Sequence, residues 1–179
     1  MAELVSQIEA ANAANQENGG DKLYEHLIYR IKGESSMTEK LSRKGLPLTP
    51  ESALDEVFDA IGLRIVCLFV DDVYTNVRLI HALSGVTVLK EKDYIKNAKP
   101  NGYRSYHMLL DVEREPRHVH AEVQLRTIAM DTWAALEHEL KYKKDIADPA
   151  LIIAELKRCA NELAACDVSM QTLRALIRD

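Results

Sequence analysis

Read for the spacing of apolar and polar positions, the chain divides into alternating helical and extended stretches. Residues 2–15 place Leu4, Val5 and Ile8 on one side of a short helix that Asn18-Gly19-Gly20 ends. From Leu23 to Lys32 the period is two, with Leu23, Leu27, Tyr29 and Ile31 on one face and His26, Arg30 and Lys32 on the other. Gly33 breaks that strand. Ser36-Met37-Thr38-Glu39 has the form of a capping box, opening a helix on which Ser36, Lys40 and Arg43 share a face. A linker from Leu46 to Pro50 leads to a short helix, Glu51 to Phe58. Leu63 to Val70 is a nearly continuous apolar run, as in a strand covered on both faces. Arg64 interrupts it, and a lone buried arginine is costly, so this one is expected at the strand's edge over a ligand or a carboxylate.

Asp71 is expected to cap a helix to about Leu83, with Val73, Val77 and Ile80 inward. Val86 to Asp93 returns as a strand with Lys90 and Lys92 on one face. Tyr103 to Val112 follows, aligning Tyr103, Ser105, His107 and Leu109. After a tight turn at Glu115-Pro116-Arg117, His118 to Arg126 turns Val119, Ala121, Val123 and Leu125 to the core. His120, Glu122, Gln124 and Arg126 face the other way. Thr127 caps a helix to about Lys143, in which Glu137 and Lys141 can pair, and Asp148-Pro149 opens one long helix to the C-terminus. Helices interleaved with strands and one hairpin predict an α/β domain with a mixed β-sheet flanked by helices.

Composition narrows the partners. The 179 residues suffice for one domain with a real core. A net charge of −5 argues against a dedicated DNA or membrane-surface binder. The cations instead gather locally, in Arg30 to Lys44, Lys90 to Lys99 and Lys141 to Lys144, which suits a small polyphosphate. Cys67, Cys159 and Cys166 lack metal-ligand spacing, and no apolar run approaches a membrane span. A soluble cytoplasmic protein is expected.

The chemistry concentrates in Lys96-Asn97-Ala98-Lys99-Pro100-Asn101-Gly102-Tyr103-Arg104-Ser105-Tyr106-His107. Pro100 and Asn101-Gly102 make a turn, after which an aromatic ring, a hydroxyl and an imidazole follow in a row beside Lys96, Lys99 and Arg104. Such a set suits a flat base carrying several phosphates. It equally suits an ordinary hairpin with solvated lysines. Asp59 and Glu122 have the hard oxygens that Mg²⁺ prefers, and either could instead pair with Arg64 or Arg126.

Lys99-Pro100-Asn101-Gly102-Tyr103-Arg104-Ser105-Tyr106-His107 resembles the guanosine-binding loop of the RelA/SpoT-type alarmone synthetases. Asp59-Ala60-Ile61-Gly62-Leu63-Arg64 resembles the family's D-x-x-G-x-R. Glu122-Val123-Gln124-Leu125-Arg126-Thr127, running on to Met130, Trp133, Glu137-His138 and Tyr142-Lys143, resembles its E-x-Q-x-R-T strand and following helix. The likeness spans about Tyr24 to Lys143 and points to the small, single-domain members. It implies a nucleotidyltransferase-like (polymerase-beta-like) sheet over about residues 21–145 of one domain, 1–179. The activity implied is pyrophosphate transfer from ATP to the 3′-hydroxyl of GTP, GDP or GMP, making (p)ppGpp.

The resemblance also implies roles. Asp59 and Glu122 are expected to bind Mg²⁺, with Glu122 orienting or deprotonating the attacking hydroxyl. Arg30 and Arg64 are expected to sandwich adenine, while Ser36, Lys40 and Arg43 hold the ATP phosphates. Tyr103 is expected to stack on guanine, within a guanosine-nucleotide set of Lys92, Lys99, Asn101, Tyr103, Arg104, His107, Gln124 and Glu137. Lys90-Glu91-Lys92-Asp93 has Lys where the family often has Arg, which leaves the choice among GTP, GDP and GMP open. No His-Asp dipeptide occurs, so the hydrolase half of the long relatives is not expected.

Two other readings stand beside this one: the same transfer onto tRNA or an adenosine nucleotide, and a nucleotide- or RNA-binding regulator without turnover. Single-stranded RNA or an alarmone is the candidate regulator. The long helix 148–179 repeats Ile152, Leu156, Cys159, Leu163, Cys166, Met170, Leu173 and Ile177 at spacings of four and three. Such a seam serves a partner helix or the protein's own sheet. The family's small members assemble as homotetramers, so the helix is expected in an oligomer interface.

Overall fold

The computed structural model describes residues 2–114, 117–141 and 148–178. The expected turn at 115–116 and the motif residues Tyr142 and Lys143 lie outside the described residues, as does the side chain of Lys141, the expected partner of Glu137. The elements are α1 (Ala2–Glu17), β1 (His26–Ile31), α2 (Glu34–Lys44), α3 (Pro50–Asp55), β2 (Ile61–Cys67), α4 (Val70–His81), β3 (Val86–Asp93), β4 (Tyr106–Arg114), β5 (Arg117–Thr127), α5 (Ile128–Lys141) and α6 (Pro149–Arg178).

The five strands form one mixed sheet in the order β1-β2-β5-β4-β3. Only β2 and β5 run parallel; the other neighbours are antiparallel. One face is the core. Leu63, Ile65, Met108, Leu110, Val123 and Leu125 pack there against Leu4, Val5 and Ile8 of α1 and Val73, Val77 and Ile80 of α4. A smaller cluster of Leu41, Val57 and Ala60 joins α2 to the segment after α3. The other face carries the polar half of the β5 alternation and stays open, with α3 near one end, where His120 Nδ1 lies 3.3 Å from the Leu54 carbonyl.

Several element boundaries differ from the sequence expectation. The helix at 34 starts behind Gly33, with no side-chain cap, so Ser36 sits inside its first turn and the capping box does not form. Thr49 caps α3, accepting from the Ser52 amide, and this helix begins earlier than expected. Phe69, not Asp71, precedes α4. β4 begins at Tyr106, so Ser105 belongs to the loop. It is fully buried and donates to the Leu125 carbonyl at 3.1 Å, which takes it out of the row shared by Tyr103 and His107. On β1 the expected core face is only partly covered, since Tyr29 and Ile31 are exposed beyond the helices.

The caps of the last two helices form as expected. Thr127 Oγ1 accepts from the Met130 amide, and Asp148 Oδ1 from the Leu151 amide. α6 packs across α5 and α4: Trp133 Nε1 donates to the Leu156 carbonyl at 2.8 Å, and Arg174 binds Asp72 at 2.6 Å. Among the described residues no helix is long and apolar enough to cross a membrane.

Candidate active site

Strand register brings the motif residues together. Across the sheet Arg30, Gly62, Glu122, Leu109 and Lys90 stand in one row, and Ile28, Arg64, Gln124, His107 and Lys92 in the next. All point to the open face, because residues two apart on a strand share a side. Residues as far apart in the chain as Ile28 and Gln124 are thus brought into one row through β2 and β5.

Two cavities open on this face. One, of about 260 Å³, is lined by Arg30, Asp59, Gly62, Arg64, Glu122 and Gln124 among others. The second, of about 340 Å³, is lined by Lys90, Lys92, Tyr94, Lys99, His107 and Glu122 among others. Glu122 is a wall of both.

In the first cavity Arg30 lies over Gly62, where an added Cβ would stand 3.8 Å from Arg30 Cγ. The glycine of the D-x-x-G-x-R stretch therefore leaves room beside the arginine. Arg64 is its diagonal neighbour, opposite Ile28. Asp59 is held by Lys40 at 2.5 Å and Lys32 at 3.2 Å. Burial pushes its carboxyl up, but the hydrogen bonds from the two lysines outweigh this and leave it below the usual carboxylate range. Ser36 and Arg43 are exposed on α2, on the helix face that carries Lys40.

In the second cavity, His107 Nδ1 is 3.4 Å from Glu122 Oε1 and Gln124 Nε2 donates to Glu122 Oε2 at 3.2 Å. The contact with His107, against the opposing effect of burial, holds the Glu122 carboxyl below its ordinary range. Both carboxylates are ionised at neutral pH. Tyr103 OH lies 2.8 Å from His107 Nε2 and accepts from Arg126 Nη2 at 2.8 Å. Its ring meets Tyr94, His107 and Trp133 edge-on, and the Lys99 ammonium sits 4.6 Å from its centroid.

Of the expected guanosine set, Lys92, Lys99 and His107 line the second cavity, while Gln124 lines the first instead. Tyr103 meets the wall residues Tyr94, Lys99 and His107 without lining it. Three members point elsewhere. Arg104 Nη1 donates to the carbonyls of Gly102 and Ala160 and its Nη2 to Asn161 Oδ1, so it ties the loop to α6 and does not line the cavity. Asn101 Nδ2 donates to Glu137 Oε1 at 3.2 Å, and the pair joins the loop to α5. Among the described residues, Asp59 pairs with lysines and Glu122 meets His107, and neither pairs with Arg64 or Arg126. Asp131, a residue sequence reasoning passed over, takes both arginines: Arg126 at 3.0 Å and Arg64 at 3.3 Å. Lys32 and Tyr94 were also missed. Lys32 lies within the basic stretch that pointed to phosphate, and Tyr94 directly follows the Lys90–Asp93 charge motif.

Asp59 and Glu122 fit a divalent ion as two ionised oxygen donors on one cavity. Among the described residues no group of three such side chains could hold a metal alone, so phosphate and water would have to complete the shell.

Comparison with known proteins follows this geometry. Residues 29–147 match the family model described as the region found in RelA / SpoT proteins. The GTP pyrophosphokinase YwaC of Bacillus subtilis (strain 168) is 39% identical over 145 residues, covering 79% of this chain and 69% of that one. YjbM, a GTP pyrophosphokinase of the same organism, is 35% identical over 159 residues, covering 87% and 74%. The crystal structure of the small alarmone synthetase 1 from Bacillus subtilis, bound to its product pppGpp, superposes with a TM-score of 0.84 at 31% identity, covering 99% of this chain and 92% of that one. The motifs, the sheet that aligns them and these likenesses agree: the chain belongs to the RelA/SpoT family.

Proposed function

We propose that this chain is a GTP/GDP diphosphokinase, moving the pyrophosphoryl group of ATP onto the 3′-hydroxyl of GTP, GDP or GMP to form (p)ppGpp. The observation that carries this reading is the position of Glu122, the shared wall of two cavities with different linings. The Arg30/Arg64 cavity suits a donor base. Diagonal neighbours on adjacent strands stand about 7–8 Å apart, close to twice the roughly 3.5 Å contact distance, so one adenine fits between two guanidinium planes. Lys40, with Ser36 and Arg43 on the same helix, would hold the triphosphate. The Tyr94/Lys92/Lys99/His107 cavity suits a purine with a 5′-polyphosphate. Asn101, Arg104 and Glu137 then shape the guanosine loop from outside.

At the junction the acceptor 3′-oxygen attacks the β-phosphorus of ATP. The bond from that phosphorus to the α,β-bridging oxygen breaks, AMP leaves, and Glu122 receives the hydroxyl proton. Its ionised state suits a proton acceptor. Mg²⁺ bound by Asp59 and Glu122 would neutralise charge on the phosphates. Lys32 and Lys40 keep Asp59 ionised and placed before the nucleotide arrives. Positioning and electrostatics carry most of such a transfer.

We further propose a homo-oligomer, a tetramer in keeping with the family. Residues 21–145 form the catalytic unit and 148–179 the interface helix. Met170, Leu173, Leu176 and Ile177 stand exposed on α6, which supports an interface there.

The test is to incubate the pure protein with Mg²⁺, β-labelled ATP and, separately, GTP, GDP, GMP, ATP or tRNA, and to resolve the products. Label on guanosine nucleotides with equimolar AMP is expected. Label only on tRNA or adenosine, or none transferred, overturns the reading.

A further inference from the structure

We propose that Asp131 is a positioning residue that ties the donor cavity to the acceptor loop, so that both substrates are bound by one linked set of side chains. This rests on the reading of the two cavities as donor and acceptor sites.

Asp131 lies in the first turn of α5, one turn after the E-x-Q-x-R-T strand. Its Oδ1 is shared by Arg64 Nη1 at 3.3 Å and Arg126 Nη1 at 3.0 Å. Arg64 lines the donor cavity. Arg126, with only 6% of its side chain exposed, lines neither cavity, but its Nη2 donates to Tyr103 OH and to Gln124 Oε1, both at 2.8 Å. From there the bonds close on themselves. Tyr103 OH meets His107 Nε2, His107 Nδ1 meets Glu122, and Gln124 Nε2 returns from Glu122 to the side chain that Arg126 holds.

Arg126 is a buried cation, and a buried charge requires a partner. Asp131 supplies it, and with the same oxygen fixes the guanidinium that faces the donor base. Rotating Arg64 onto a bound adenine therefore changes what Asp131 offers Arg126, and with it the hydroxyl that anchors Tyr103. Neither arginine reaches the other directly; the carboxylate is the joint.

Asp131→Asn keeps the shape and removes the charge. The measurement is calorimetric titration, in Mg²⁺, of α,β-methylene ATP and of GDP into wild type and variant, each alone and with the other nucleotide saturating. The expected result is weaker binding of both nucleotides, each by on the order of tenfold, and loss of any mutual effect present in wild type. A lowered binding stoichiometry at unchanged affinities would mean a merely structural role, and a shift confined to one nucleotide would mean no joint; either overturns the proposal. Should the Asn variant fail to fold, Arg126→Lys keeps the charge and loses the fork. It is expected to weaken binding of both nucleotides, GDP the more, because Asp131 Oδ1 is shared with Arg64; a shift confined to one nucleotide overturns the proposal. Binding is read without turnover, so a wild type that binds both nucleotides but transfers nothing defeats the diphosphokinase reading alone.

Discussion

Gly102 and Ala160 approach so closely that a methyl group on the glycine would stand 2.6 Å from the Ala160 Cβ. Gly102 has φ +95°, and beside it Arg104 bonds the Ala160 carbonyl and Asn161. The loop that carries Tyr103 is thus seated on α6, a helix from another part of the chain. Gly102→Ala adds roughly 1–2 kcal/mol of backbone strain and about 1–3 kcal/mol of overpacking. The expected outcome is a lower melting temperature and a raised KM for the guanosine nucleotide, with the KM for ATP unchanged. Adding Ala160→Gly to the variant should recover the packing part and leave the backbone part. A double mutant no better than the single one would show that α6 does not seat the loop.

How much of this was legible in the sequence depends on where the period holds. β5 was readable because Ala121, Val123 and Leu125 are buried in alternation with the half-buried Glu122 and Gln124, although Arg126, next in the polar row, is buried as well. Ser105 was misplaced because the strand begins three residues later than expected, at Tyr106 rather than Tyr103, and a period of two carries no meaning before it. Asp131 offered nothing to the eye in a helix of mixed residues. Its role exists only because α5 starts beside Arg64 and Arg126. Arg104 was drawn to the ligand by its neighbours in the motif, whereas its guanidinium reaches the Ala160 carbonyl and Asn161 of α6.

Glu122→Gln preserves the hydrogen bond with Gln124 but removes the charge that accepts the proton. Synthesis is expected to fall by at least about a hundredfold, with the melting temperature close to that of wild type. Because the carboxyl lies below its ordinary range, it stays ionised throughout neutral pH, so the loss should be equal at pH 6 and pH 8. A variant with near-normal turnover would remove Glu122 from the chemistry.

Tyr103→Phe tests ring against hydroxyl. The hydroxyl accepts from Arg126 and meets His107, so its removal leaves a buried donor half-satisfied, a cost of about 1–3 kcal/mol. The Phe variant should therefore raise the KM for the acceptor by roughly tenfold, and Tyr103→Ala by more, as stacking is lost too. If Phe matches wild type, the hydroxyl bonds do not position the ring.

Asp167 makes a pH-dependent case of opposite sign. Burial raises its carboxyl above the ordinary range, against the hydrogen bond from Thr127 at 2.6 Å and the charge of Arg104. A group raised on folding favours the folded state when protonated, and that contribution disappears as pH rises through the folded pKa. Asp167→Asn resembles the protonated form. Its melting temperature should match wild type below about pH 3.9 and exceed it at neutral pH. A variant less stable at neutral pH would show that the charge of Asp167, paired with Arg104, holds α6 in place.

The seam on α6 divides in two. A straight helix drifts by about 20° per heptad against a 3.5-residue repeat. Ile152, Leu156, Cys159 and Leu163 are partly buried against the protein's own elements, but Cys166, Met170, Leu173 and Ile177 turn outward. Asp167, Gln171 and Arg174 replace them on the packed side, bonding Thr127, Asp71 and Asp72. The two halves should answer differently to a charge. Leu163→Glu buries a carboxylate beside Met130 and Trp133, and is expected to lower the melting temperature sharply. Met170→Glu or Leu173→Glu should leave the fold intact and split the assembly, read by light scattering at micromolar concentration. If the unmodified protein scatters as a monomer, the outward half of the seam has no partner copy, and the interface assigned to α6 fails.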